Sequence, residues 1–176
     1  WIDFNVLRDD DAAKGSDIND GAEIVTEFET FQYTKNNWAT NTYWNDHFYL
    51  INEANFVMDS FKKISTPSPE VLRNVGEACF FAAFSYFELV KAYGEVPLFN
   101  YNITDPTMGI RDKSPIPVIY QFIDSCLQVA AATLPLTSAE YGPGFEGRLT
   151  RGAANTLWAQ TFLFRQYWGR VISLTT

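Results

Sequence analysis

An aromatic ring stacked on the apolar C–H face of a pyranose, with amides beside it to bond the hydroxyls, is the chemistry that one short segment of this sequence suits. Tyr33, Asn36, Asn37 and Trp38 bring those residue types together just ahead of a helical pattern, and they form the candidate carbohydrate-binding set. The competing reading is that Trp38 simply packs on the helix that follows. Asn100-Tyr101-Asn102 has a similar composition but reads first as a structural turn.

Other polar groups point to less. Asp9, Asp10, Asp11, Asp17, Asn19 and Asp20 offer oxygens for a hard cation, yet Gly21 stands where an EF-hand loop needs its third oxygen ligand, so a solvated acidic loop is expected. His47, the single histidine, has no Cys or carboxylate at helical spacing to complete a metal site or to orient it as a base, and reads as a surface or packing residue. Glu70, Glu77 and Glu88 would be the carboxylates of a glycosidase, but the first two lie about 10 Å apart along a helix, too far for a retaining pair and marginal for an inverting one. They are read as a solvated helix face. No GxSxG, HExxH, P-loop or dinucleotide fingerprint occurs. The expectation is a protein with no catalytic residues, no metal and no cofactor.

Composition narrows the partners. The formal charge of −8 is local, because residues 1–30 carry nine acids against Arg8 and Lys14, whereas the rest carries twelve acids against eleven bases. No basic stripe exists to displace counterions from a polyanion, which excludes nucleic acid as the expected partner. Aromatic residues reach 16%, more than a core of this size requires, so some rings are expected to face a ligand. Cys79 and Cys126 sit inside apolar helical patterns without a CxxC spacing and read as buried free thiols. No apolar run is long enough to span a bilayer as a helix.

The positioning elements follow from periodicity. Residues 1–40 lack a sustained helical period and predict an irregular segment with at most one short helix. Trp44, Phe48, Ile51, Met58 and Phe61 recur at three- and four-residue steps and predict a first helix over 41–64, with Asn55 the polar member of the row. Ser68-Pro69 opens a second helix that runs to about Tyr93 and is stopped by Gly94 and Pro97. Residues 95–113 are too long for a plain connection and mark a candidate functional loop. Ser114-Pro115 opens a third helix ending at Pro135, and Thr150 caps a fourth running to about Trp168. Alanines at 78, 82, 83, 153, 154 and 159 permit close helix crossings, so the expected fold is all-α, with tetratricopeptide-like helical hairpins over 41–176.

The stretch Ala83-Phe-Ser-Tyr-Phe-Glu-Leu-Val-Lys-Ala-Tyr-Gly-Glu-Val-Pro-Leu98 resembles the signature of the SusD/RagB family, an aromatic-rich helix ending in Tyr-Gly-x-Val-Pro-Leu. The resemblance continues in order with Trp44 and Asn52-Glu-Ala-Asn55, with Leu134-Pro135, and with Gly147-Arg148-x-Thr150-x-x-Ala-Ala154 followed by Leu163. Cys126 departs from the family pattern, where Asp is usual.

The resemblance implies a non-catalytic lipoprotein of the outer membrane surface that binds an oligosaccharide or polysaccharide over a SusC-like TonB-dependent transporter. Its sugar-stacking rings would lie in a loop comparable to 33–38. A lipid anchor, absent from this chain, would be the only membrane attachment. The alternative is a tetratricopeptide-like protein-binding scaffold facing the transporter; scaffolds line a helical groove with aromatics, whereas glycan binders expose rings on loops. The opening Trp1-Ile-Asp-Phe4 and the close at Val171–Thr176 lead us to expect a piece of a longer protein, in which Trp158, Phe164 and Trp168 would form an apolar face prone to association.

Overall fold

The computed structural model describes Asp9, Asp11, Gly15 and residues 22–167. The described residues form five helices, α1 (Ala22–Glu29), α2 (Trp38–Phe61), α3 (Pro69–Tyr93), α4 (Ile116–Thr133) and α5 (Arg151–Phe164), with 3-10 turns at Pro106–Gly109 and Ser138–Tyr141. Among the described residues the only β pairing is one antiparallel bridge between Val96 and Ser114, so the all-α expectation holds. The chain falls into two compact units, divided between Phe48 and Tyr49.

In the first unit, Phe28 of α1 is fully buried, and Ala39, Tyr43 and His47 are the buried residues of α2. His47 packs edge-on against Tyr43, ring centroids 4.5 Å apart, which makes it the packing histidine of the two readings. Among the described residues, both non-glycine residues with positive φ end helices. Phe31 (φ 56°) follows α1 and Gln166 (φ 61°) follows α5. After α1, Phe31 N–H bonds Phe28 O and Gln32 N–H bonds Glu27 O; after α5, Gln166 N–H bonds Leu163 O and Tyr167 N–H bonds Phe162 O. Each pair closes the helix by satisfying carbonyls of its last turn, with one residue taken into the left-handed region.

The second unit is built on α3. Ser68 caps it by accepting the Val71 N–H, Pro69 starts it, and Gly94 ends it at φ 74° with its N–H on Val90 O, as the sequence indicates. α3 packs on α4, α4 on α5, and α3 also touches α5. The shared core holds Tyr86, Leu89, Ile119, Ile123 and Leu127, with the fully buried Ala82, Ala83 and Ala154 permitting the close approach.

Three boundaries differ from the sequence reading. α2 starts at Trp38 and not Asn41, because Asn37 supplies a cap that the polar run 34–37 conceals, and it ends at Phe61. α5 ends at Phe164, short of Trp168, because Gln166 breaks the helix and the Arg165 guanidinium turns back onto Asp124 with two bonds of 2.8 Å. Trp158 donates its Nε1–H to the same carboxylate and is half-buried, so it is no part of an exposed face; Phe164 is 58% exposed and Trp168 lies outside the described residues.

Candidate functional site

The segment 30–37 links α1 to α2, and each sequence-selected residue there and at Trp38 has a definite place. Asn37 is buried: its Oδ1 accepts the Ala39 N–H at 2.9 Å, capping α2, and its Nδ2 donates to Glu27 Oε2 at 2.7 Å. Tyr33 is half-buried, with its ring stacked on Phe28 at 4.8 Å. Asn36 is exposed and its backbone N–H bonds Thr34 Oγ1. Trp38, at the first helical position, is 53% exposed. Asn36 and Trp38 thus turn to solvent, while Tyr33 and Asn37 hold the loop.

Phe31 belongs beside them and sequence reasoning missed it. Its ring is 57% exposed, and its left-handed backbone is one that a β-carbon disfavours by roughly 1 kcal/mol or more. Nothing local in the sequence marks it, since glycine is the residue expected at such a helix end. We expect Phe31→Gly to raise stability by about 1 kcal/mol in chemical denaturation; unchanged or lower stability would mean that the ring packs usefully.

The long loop divides in two. Residues 99–103 are strapped to α2 by side chains on one helical row. Asn55 Nδ2 donates to Phe99 O at 3.0 Å and Tyr101 O at 2.9 Å. Asn52 Oδ1 accepts Ile103 N–H at 2.7 Å, and Asp59 Oδ2 accepts Asn102 N–H at 2.8 Å. From α3, Tyr86 OH accepts Phe99 N–H at 2.7 Å and donates to Phe99 O at 3.1 Å. Burial pushes the Tyr86 phenol far above its usual range, so it remains a donor at ordinary pH. The bond from Lys62, and then the Asn102 N–H, hold the Asp59 carboxyl below its usual value. Asn100-Tyr101-Asn102 is therefore a structural strap, and the side chains that make it, Asn52, Asn55 and Asp59, were legible only as a polar row at steps of three and four. Beyond it residues 104–113 are mainly exposed, with Ile110 at 84%.

The carboxylates correct the reading of a solvated face. Glu70 is exposed, but Glu88 is only 5% exposed and pairs with Lys91. Glu77 receives Arg148 in a two-bond fork, Nε at 2.9 Å and Nη2 at 2.6 Å, while a second Nη2 bond of 2.6 Å reaches Asn74. The Arg148 guanidinium lies 4.4 Å from the Tyr141 ring centroid, and Tyr141 OH donates to Leu149 O at 2.7 Å. This fork, which raises the Arg148 pKa, fastens the connection between α4 and α5 to α3. Its carboxylate is engaged in structure.

Among the described residues no group of three His, Cys, Asp or Glu side chains gathers to hold a metal. Of the acidic loop only Asp9 and Asp11 are described, with Asp11 N–H on Asp9 Oδ1; Asp10, Asp17, Asn19 and Asp20 lie outside the described residues. No described helix is long and apolar enough to cross a membrane.

Helical hairpins with small residues at their crossings, strapped to a long loop, make this a tetratricopeptide-like helical-repeat protein. Residues 9–163 match the SusD-like family described as starch-binding and associating with the outer membrane, and the chain belongs to that family. It is 26% identical over 133 residues to the SusD-like protein P2 of Formosa agariphila, covering 75% of this chain and 26% of that protein. A structure determined with xylogluco-oligosaccharide superposes at TM-score 0.68 with 25% identity, over 79% of this chain and 27% of the other. Surface glycan-binding protein A from Bacteroides fluxus shares the fold at TM-score 0.80 and 22% identity, over 98% and 36% of the two chains. The chain thus spans between 26% and 36% of the length of these relatives.

Proposed function

We propose that this chain is the helical part of a non-catalytic glycan-binding component of an outer-membrane uptake complex. The observation that carries the reading is the family match over residues 9–163. The similarity to a structure holding a xylogluco-oligosaccharide supports a sugar as the ligand class. Residues 1–40 would carry the ligand loop and 41–176 the helical support, held at the cell surface beside a SusC-like transporter. Within the loop, Trp38 stacks on the sugar and Asn36 bonds hydroxyls, while Tyr33 and Asn37 shape the turn.

The test is retention of this chain and Trp38→Ala in affinity gels cast with a panel of soluble polysaccharides, with circular dichroism as the control for folding. Because Trp38 is exposed, the variant keeps its helices; loss of one stacked ring weakens glycan binding about tenfold, or ~1.4 kcal/mol. Equal retention of both proteins would remove Trp38 from the site, and absence of retention by both would take glycan binding away from this chain.

One observation favours the scaffold alternative. Tyr49 and Phe56, seven residues apart on one face of α2, are 70% and 55% exposed, a helix-borne pair of rings of the kind that protein partners cover.

A further inference from the structure

Phe145 is an exposed ring of the second unit that stands on a loop: it follows the Ser138–Tyr141 turn and is 52% exposed. The loop holds it there by its own bonds. Gly142 and Gly144 take positive φ (88° and 86°), Gly144 N–H bonds Glu146 Oε1 at 3.0 Å, and Arg148 N–H bonds Phe145 O at 3.1 Å. One face of the ring meets the Arg148 guanidinium, centred 5.8 Å from the ring centroid, and the exposure leaves the other face to solvent. Hydrogen-bond donors lie beside it. Asn74 is exposed and accepts Arg148 Nη2 on its Oδ1 at 2.6 Å, so its Nδ2 keeps both hydrogens for another acceptor. Arg148 Nη1 also has no partner among the described residues, since its bonds to Glu77 run through Nε and Nη2.

We propose, on the reading of this chain as a glycan binder, that Phe145, Asn74 and Arg148 form a second carbohydrate subsite, for one neutral pyranose unit of a polysaccharide. The open face of the ring takes the C–H face of the sugar, and the amide and guanidinium N–H groups reach its hydroxyl oxygens. Phe145 and Asn74 both touch one guanidinium, a span that a single sugar ring covers. The ring is already held in place by the loop, so binding has little left to order. Local charge selects a neutral sugar. Glu77 neutralises Arg148, while Glu70, Glu140 and Glu146 stand around Arg73 as the remaining cation, so a uronate would meet net negative charge.

The test is retention of the native chain, Phe145→Ala, Phe145→Trp, Asn74→Ala and Trp38→Ala in affinity gels cast with xyloglucan, laminarin or starch, and with pectate as a polyuronate. Circular dichroism checks that each variant keeps its helices. On a neutral gel that retains the native chain, Phe145→Ala weakens binding about tenfold, Asn74→Ala weakens it less, and Phe145→Trp, which keeps a stacking face, retains it. Equal retention of native chain and Phe145→Ala would overturn this subsite and leave the glycan reading standing, with Trp38→Ala reporting on the other loop. Stronger retention on pectate than on the neutral gels would overturn the choice of sugar class. Retention of no protein on any gel would remove the subsite together with the glycan reading of this chain.

Discussion

Gly76→Val is expected to destabilise the protein by about 3 kcal/mol, one of the two largest effects of a single substitution here. Gly76 is buried in α3 where the end of α4 crosses it. A β-carbon there would overlap Thr133 Oγ1 and lie 3.2 Å from Leu134 Cγ and Cδ2. Neither neighbour yields easily: the Thr133 hydroxyl is bonded to Val129 O at 2.8 Å, and Leu134 is 1% exposed. An unobstructed glycine-to-alanine change inside a helix gains about 1 kcal/mol, so even Gly76→Ala sets that gain against an overlap. Thr133→Ala removes the overlapping oxygen and should recover part of the Gly76→Ala loss in a double-mutant cycle read by urea unfolding. Additive losses would show that the crossing relaxes elsewhere, and a stabilised Gly76→Ala would refute close approach as the reason for glycine.

Asn55→Leu is expected to cost about 3 kcal/mol, because it strips the strap of its central bonds without changing the size of the side chain greatly. Asn55 is 1% exposed and its amide serves two carbonyls of the 99–103 segment. Phe99 O keeps its bond from Tyr86 OH, but Tyr101 O loses its Asn55 donor. Hydrogen exchange separates this local effect from general unfolding. The amides of Asn102 and Ile103, bonded to Asp59 and Asn52, should exchange faster, while those in the middle of α4 keep their relative order. Protection of the two amides at native levels would mean that the strap does not depend on Asn55. Asn55→Asp should be worse than Asn55→Leu near neutral pH, since it sets an acceptor-only carboxylate against the same carbonyls.

What the sequence by itself determined is the set of helices that form the repeat. α3 is the clearest case: Ser68, Pro69, Gly94 and Pro97 mark its ends and an unbroken apolar row fills its middle, so neighbours in sequence suffice to specify it. The family motif was legible for the same reason, since Tyr93-Gly94-x-Val96-Pro97-Leu98 is a contiguous helix stop followed by an extended exit. The segment 33–38 could be named as a group of sugar-binding residue types, but its division into exposed Asn36 and Trp38 and inward Tyr33 and Asn37 came from the fold, because an asparagine before a helix serves equally as a cap or as a ligand contact. Phe31 stayed hidden because a phenylalanine at a left-handed helix end runs against local preference.

Only the tertiary structure decided which polar and sulfur groups meet. Glu77 became the seat of Arg148, 71 residues away, and Asn55 the holder of carbonyls 44 and 46 residues on. Asp124 gathered Trp158 and Arg165, and Cys79 met Met58. The physical reason is common to all. Periodicity states which face of a helix is apolar, but the partner of a polar atom depends on where two helices cross and how each is rotated, and that is settled by packing of the whole core.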